Sequence, residues 1–131
     1  MIKIVVYEDD MRKLIDTYSS LPRWGDVHIR YKGEIDEDVL GPLSANGFNS
    51  DLVKKLSQDD KPPQADLYFV GELGGDCLAF VQQFPKDKTY LVTENKDLHI
   101  EGEKNRYRVI SSERISFLVA SLLRGESAKY P

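Results

Sequence analysis

Three carboxylates stand together close to the N-terminus, at Glu8, Asp9 and Asp10, directly after the apolar run of residues 2–7. Carboxylate oxygens are the ligands that hard cations such as Mg²⁺ and Ca²⁺ take in proteins. An Asp side chain also accepts backbone N–H groups at the start of a helix, and one helix start needs only one such residue. Both a cation site and a helix cap are therefore open interpretations of this cluster.

The residues on either side of the three acids predict a strand and a helix. Residues 2–7 form a β-branched apolar run, which is typical of a strand that is buried on both faces. After the acids, apolar residues recur at helical spacing, at Met11, Leu14, Ile15, Tyr18 and Leu21. A strand, a turn and a helix in this order open an α/β fold, in which ligands bind outside the carboxyl ends of the strands. We therefore expect Glu8 and Asp9 to lie at a binding edge of the sheet.

Apolar runs predict further strands at residues 27–31, 65–70, 89–93 and 107–110. In the first of these runs, the apolar residues alternate with His28, Arg30 and Lys32. This period of two indicates a strand with one wetter face, which fits the edge of a sheet. The other three runs are more continuously apolar, so we expect them to be buried.

Helices are predicted between these strands at residues 50–56 and 77–84, and after the last strand at residues 112–123. Ser50 and Ser112 are the expected N-caps of the first and third helices, and Gly125 is the expected end of the third. Gly102 interrupts residues 94–106, where we expect a short or irregular element. The alternation of strands and helices predicts a three-layer α/β/α fold with a central parallel sheet.

Two stretches of the chain resemble the receiver domains of response regulators. Residues 6–14, Val-Tyr-Glu-Asp-Asp-Met-Arg-Lys-Leu, are similar to the first strand and helix of that family, in which two acids bind Mg²⁺. Residues 66–70, Asp-Leu-Tyr-Phe-Val, are similar to the receiver strand that precedes the phospho-accepting Asp. The resemblance implies a flavodoxin-like sheet of five parallel strands in the order 2-1-3-4-5, with Glu8 and Asp9 as the metal ligands.

The chain departs from the receiver pattern at the residues that carry phosphorylation. Gly71 stands at the acceptor position and cannot take a phosphoryl group, while Glu72 follows one residue later. Thr93 matches the receiver Ser/Thr, but Ser111 stands where receivers have a lysine. The resemblance therefore implies a pseudo-receiver without enzymatic activity. Its Glu8 and Asp9 would form a vestigial site that binds Mg²⁺ weakly, and no other cofactor is expected.

One alternative keeps chemistry at the acidic cluster. Glu8 and Asp9 could serve a Mg²⁺-dependent enzyme, or an atypical receiver that still accepts a phosphoryl group. Asp66, Glu72 and Asp76 could add carboxylates to such a site. A nuclease or topoisomerase–primase type of site would show a paired Asp-x-Asp directly after a strand, and none of the predicted strands is followed directly by one. Residues 71–75 also lack the lysine and the spacing of a P-loop.

Length and charge narrow the class of protein. A chain of 131 residues predicts a single domain over residues 1–131. Its 18 basic and 22 acidic residues give a net charge of −4 without a basic block, which argues against a nucleic-acid partner. No apolar run reaches the roughly 20 residues of a membrane span, and Cys77 is alone, so we expect no membrane association and a cytoplasmic location.

The expected partner is another protein or a second copy of this chain. Receivers signal through the face built by their fourth helix, fifth strand and fifth helix, and the resemblance assigns that face to residues 98–123. Arg106, Arg108 and Arg114 are the basic residues expected on it. Because the phosphorylation residues are missing, the contacts on this face are expected to be non-covalent and independent of phosphorylation.

Overall fold

The computed structural model describes residues 2–57, 59 and 61–124. Its strands are β1 (Ile2–Glu8), β2 (Gly25–Tyr31), β3 (Val53–Lys55), β4 (Leu67–Val70), β5 (Thr89–Val92) and β6 (Arg108–Ile110). Its α-helices are α1 (Met11–Thr17), α2 (Glu37–Ala45), α3 (Cys77–Phe80), α4 (Lys96–Lys104) and α5 (Ile115–Leu123). Among the described residues, none of these helices has the length and apolar character that crossing a membrane requires.

The six strands form one parallel sheet in the order β3-β2-β1-β4-β5-β6. β1 lies in its interior between β2 and β4, and both β1 and β4 consist largely of buried residues. The prediction that residues 2–7 and Leu67–Val70 are adjacent inner strands is confirmed. Their continuous apolar runs fit this position, because both faces of an inner parallel strand are covered.

The predicted strand number and order were wrong, because the sheet has a sixth strand. β3 pairs with the outer side of β2, so β2 is not at the edge of the sheet as its alternation suggested. The helix predicted at residues 50–56 is instead a short 3₁₀ turn followed by β3, and Ser50 is not its N-cap. The Asn49 side chain accepts the Asp51 N–H at 3.0 Å. Val53 then enters the core and pairs with Ile29 of β2.

Helices pack on both faces of the sheet, as predicted. α1, α2 and α5 cover what we call the first face, and α3 and α4 cover the second face. The connections from β1 to β2 and from β2 to β3 cross the first face, whereas those from β4 to β5 and from β5 to β6 cross the second. Right-handed crossovers require this change of face, because the two sets of strands advance in opposite directions from β1.

Residues 94–106 contain the regular nine-residue helix α4 (Lys96–Lys104), so the expectation of an irregular element interrupted by Gly102 was wrong. The Asn95 side chain caps α4 by accepting the Leu98 N–H at 3.0 Å. Gly102 does not break α4. A Cβ at this position would lie 2.8 Å from a methyl carbon of Val109, so the glycine allows the helix to approach the sheet closely.

The caps of α1 and α5 differ in how well they were predicted. The Asp10 carboxylate accepts the Lys13 N–H at 3.1 Å, which confirms an acidic cap for α1. α5 follows a 3₁₀ turn, and Ser112 does not cap it with its side chain. The backbone N–H of Ser112 instead donates to the Glu94 carboxylate at 2.7 Å. Gly125, the predicted end of this helix, lies outside the described residues.

Candidate functional site

The candidate site lies at the carboxyl ends of β1, β4 and β5. The chain leaves β1 toward the first face and leaves β4 toward the second face, so the direction of winding reverses between these neighbouring strands. Open α/β sheets bind ligands at such a switch point. The structure brings Glu8, Gly71, Glu72 and Thr93 to this edge.

Glu8 occupies the space beside Gly71. Its side chain is buried, with 2% of the residue exposed, and its carboxylate accepts the backbone N–H groups of Asp9 at 2.9 Å and Asp10 at 3.2 Å. A Cβ at Gly71 would lie 2.7 Å and 2.8 Å from the two carboxylate oxygens of Glu8. Gly71 therefore has a structural role, because its lack of a side chain leaves room for the Glu8 carboxylate.

Burial changes the proton affinity of Glu8. Desolvation raises the pKa of this carboxyl to about 7, and the two backbone N–H donors oppose the rise without cancelling it. The neighbouring Asp9 also acts to raise the pKa. Glu8 therefore titrates close to neutral pH, where an exposed carboxyl would be fully ionised.

The cation site predicted at Glu8 and Asp9 remains a prediction. Asp10 is used as the cap of α1, while Asp9 is partly exposed beside the buried Glu8. Among the described residues, no three His, Cys, Asp or Glu side chains are arranged to hold a metal ion. Asp66 is engaged elsewhere, because its carboxylate accepts the Lys3 N–H at 2.8 Å near the start of β1.

Glu72 is held by a hydroxyl and an ammonium group. The Thr93 hydroxyl donates to Oε2 of Glu72 at 2.6 Å, and Nζ of Lys13 lies 3.5 Å from the same oxygen. Thr93 is buried, and its hydroxyl oxygen also accepts the Asn95 N–H at 3.0 Å. We call Lys13, Glu8, Glu72 and Thr93 the switch-point cluster.

Lys13 is the member of this cluster that the sequence analysis missed. Partial burial lowers the pKa of its ammonium group, but Glu72, Glu8 and Glu94 outweigh burial, so the pKa is raised overall. Lys13 comes three residues after the capping Asp10, in the first turn of α1. That spacing from the cap was the available signal, because the first turn of this helix begins at the carboxyl edge of the sheet.

Ser111 lines one cavity with Thr93 but has no hydrogen bond to the switch-point cluster among the described residues. Its hydroxyl lies 3.4 Å from the Glu113 carboxylate, and it follows β6, the strand at the far edge. The resemblance to receivers placed a missing lysine at this position. A cation nevertheless reaches Glu72 from another element, because α1 supplies Lys13.

The three arginines predicted on the interaction face have different surroundings. Arg106 and Arg114 are exposed. The Arg108 guanidinium lies 5.5 Å from the centre of the Tyr90 ring and donates to the Tyr90 hydroxyl at 3.1 Å. Residues 98–123 also expose large apolar side chains, at Ile100, Phe117 and Leu123.

No protein-family model matches the chain, and neither a curated protein nor a solved structure matches it. The likeness to receivers therefore depends on the motifs at residues 6–14 and 66–70. Against it stand the six strands, where the likeness implied five. Glu8, Glu72 and Thr93 lie at one edge of the sheet, as expected for residues that follow parallel strands of any such fold.

Proposed function

We propose that this chain is a phosphorylation-independent, receiver-like signalling domain that acts through non-covalent contacts with another protein or with a second copy of itself. One observation carries the proposal: the Glu72 carboxylate is already bound by Thr93 and Lys13. By the resemblance, receivers use a hydroxyl and a cation at this edge to bind a phosphorylated Asp. Here a carboxylate of the chain itself takes those contacts.

The position that the receiver pattern assigns to the acceptor carries no carboxylate in this chain. Transfer to a carboxylate requires an accessible acceptor and cations that neutralise the phosphoryl oxygens. Gly71 has no side chain, and the space beside it is filled by the buried Glu8. The carboxylate of Glu72 is engaged, and Lys13 supplies the neighbouring positive charge. We therefore expect the switch-point cluster to keep one arrangement of side chains without phosphorylation.

A chain of hydrogen bonds joins the cluster to the proposed interaction face. Thr93 binds Glu72 through its hydroxyl hydrogen and accepts the Asn95 N–H through its hydroxyl oxygen. Asn95 in turn caps α4, the first helix of residues 98–123. The position of α4 is thus tied to Glu72, and exposed apolar and basic side chains on this face provide the means of contact.

A second function is favoured by one observation, the raised pKa of Glu8. A carboxyl that titrates near pH 7 at a switch point is suited to general acid–base catalysis, and Glu8 with Asp9 could serve a Mg²⁺-dependent enzyme. Burial of Glu8 away from any substrate argues for the signalling proposal. Titration with Mn²⁺ while following NMR line broadening separates the two. The signalling proposal predicts millimolar binding or none, and tight binding localised at Glu8 supports the enzyme.

Charge reversal tests the proposed face. We expect the variant Arg106→Glu with Arg114→Glu to lose partner recovery and any self-association seen by sedimentation velocity, because both side chains are exposed on residues 98–123. The matched control reverses Arg23 and Lys88, which are exposed outside this face. Arg108→Glu is measured separately, since Arg108 also contacts Tyr90. Unchanged association in the first variant would remove this face from the proposal.

A further inference from the structure

Part of the second face of the sheet carries no helix. α1 and α2 both pack on the first face, while α3 and α4 cover the second face around β4, β5 and β6. The connection from β3 to β4 contains no helix in its described part. The second face of β2 and β3 is therefore left without helical cover.

Basic side chains project from this uncovered part. Val27, Ile29 and Tyr31 belong to the core of the first face, so alternation directs Arg30 and Lys32 to the second face. Lys54 projects the same way, because the preceding Val53 enters the first-face core. We call Arg30, Lys32 and Lys54 the basic strip.

Two members of the basic strip lack a counter-charge. Arg30 and Lys54 are register partners on neighbouring strands. Within residues 2–57, 59 and 61–124, neither has an ion-pair partner, whereas Nζ of Lys32 lies 3.4 Å from the Asp76 carboxylate. Like charges at opposed positions of two strands destabilise a sheet. An anion between Arg30 and Lys54 would remove that repulsion.

A cavity of about 260 Å³ opens at the carboxyl end of the basic strip. Its walls are Lys32, Leu56, Ser57, Leu73, Asp76, Phe80 and Gln83. Lys32 follows Arg30 by two residues, and Leu56 follows Lys54 by two. The two residues of each pair therefore project from the same face of the sheet and lie about 7 Å apart along the chain. Arg30 and Lys54 do not line the cavity, but their positions on the strands put it within reach of their side chains. The apolar walls of the cavity are Leu56, Leu73 and Phe80.

We infer that the cavity and the basic strip form one binding site for a small organic anion. Its apolar body would pack against Leu73 and Phe80, and its phosphate or carboxylate would be held by Arg30 and Lys54. A compact ligand is favoured over a nucleic acid or an acidic protein segment because the cavity is small and, among the described residues beside it, only Arg30 and Lys54 are cations without an acidic partner. The site is separate from the switch-point cluster and does not depend on the proposed signalling function.

NMR of the whole chain with defined probes tests this inference. Phenyl phosphate and phenylacetate supply the two anionic groups on one apolar body, and benzyl alcohol is the neutral control. We expect the anions to shift the amide signals of Lys32, Leu56 and Leu73, with weaker binding at higher salt. Comparison of the two anions shows which group the site takes. Absence of shifts there, or equal shifts with benzyl alcohol, overturns the inference.

Paired variants sharpen the test. Arg30→Gln with Lys54→Gln removes both unpaired cations, and we expect the dissociation constant of the bound anion to rise about tenfold. The control, Lys55→Gln with Lys88→Gln, removes the same charge from exposed positions elsewhere, since Lys55 pairs with Glu34. If the first variant is poorly folded, Lys54→Glu replaces it, because Lys54 is exposed.

Three further results would contradict the inference. The first is equal anion affinity in the double variant and its control. The second is full binding after Ser57→Trp, which fills the cavity from its rim. The third is binding of a single-stranded oligonucleotide or of oligoglutamate at Arg30 and Lys54 while both small anions fail to bind. That outcome would assign the basic strip to a macromolecular partner instead.

Discussion

The switch-point cluster and the basic strip occupy neighbouring parts of one sheet, but their charges are compensated in different ways. In the cluster, the Glu72 carboxylate has a hydroxyl donor and a cation from the chain itself. In the strip, Arg30 and Lys54 lie side by side without an acidic partner among the described residues. A charged group that is paired within the chain helps to hold one conformation, whereas an unpaired charged group at the surface favours the binding of a ligand of opposite charge. The comparison therefore assigns structural and binding roles to different regions.

The largest change in the free energy of unfolding is expected from Gly71→Ala, next to Glu8 of the switch-point cluster. The added Cβ would lie within 2.8 Å of both Glu8 oxygens, so the buried carboxylate has to move. The Glu8 oxygens end a flexible side chain, but the carboxylate is buried and accepts two backbone N–H groups that it would lose by moving. We therefore expect the free energy of unfolding to fall by about 3 kcal/mol, at the upper end of the usual cost of overpacking. Urea denaturation measures the change.

Gly41→Ala is the matched control for this substitution. Gly41 lies within α2, and nothing stands within 4 Å of a Cβ there. Alanine should change the free energy of unfolding by less than about 1 kcal/mol, because its better helix propensity is opposed by Pro42, which disfavours a Cβ on the preceding helical residue. Equal responses of the two variants would show that Glu8 does not fill the space beside Gly71.

A somewhat smaller effect is expected from the ionisation of Glu8. Its pKa is about 7 in the folded chain against an ordinary value of 4.5, so the folded state binds the extra proton between these values. The free energy of unfolding should therefore fall as pH rises from about 4.5 to about 7, with a total loss of up to about 3 kcal/mol. Glu8→Gln should abolish this component of the pH dependence. Parallel pH profiles of the two proteins would contradict the burial of a titrating Glu8.

Two buried threonines, at the start of β5 and directly after its end, allow two kinds of hydrogen bond to be compared. The Thr93 hydroxyl donates to a carboxylate, whereas the Thr89 hydroxyl donates to the carbonyl oxygen of Pro85 at 2.7 Å. Hydrogen bonds to charged groups contribute more, so Thr93→Val should cost about 2 kcal/mol and Thr89→Val about 1 kcal/mol. Thr93→Val should also shift the NMR signals of α4 through Asn95. A larger cost for Thr89→Val would mean that Glu72 is not held as described.

The smallest effect is expected for the ion pair of Lys13 and Glu72. Both side chains are about one-third exposed, and their charged atoms lie 3.5 Å apart. A double-mutant cycle with Lys13→Met and Glu72→Gln should give a coupling free energy below about 1 kcal/mol. A coupling of several kcal/mol would indicate that Lys13, and not Thr93, is the main partner of Glu72.

The inner strands were predictable because their signal is local. The β-branched runs of β1 and β4 indicate burial on both faces wherever they pair. β3 has only three residues and one buried side chain, Val53, so no period can be detected in it. α4 has few apolar residues, and its form depends on the Asn95 cap and on the contact of Gly102 with the sheet. The structures of β3 and α4 therefore depend on contacts with neighbouring elements and not on the apolar pattern of their own residues.

The sequence predicted the position of the candidate site at one edge of the sheet, but it did not predict the contacts between the side chains there. Acids and hydroxyls after parallel strands are expected at one edge, and Glu8, Glu72 and Thr93 do meet there. The contacts depend on register: Tyr7 pairs with Val70, which sets Glu8 beside Gly71. Sequence similarity also drew attention to the missing lysine near Ser111, whereas the cation near Glu72 comes from Lys13 on a different element.

The central claim is that the switch-point cluster is complete without phosphorylation, and intact-mass measurement tests it most directly. The chain is incubated with acetyl phosphate and Mg²⁺, and its mass is determined before and after. We expect no gain, and none for Gly71→Asp either, because the new side chain would meet the Glu8 carboxylate. The gain of one phosphoryl group by the unmodified chain, located at Glu8, Glu72 or Asp76, would contradict the account.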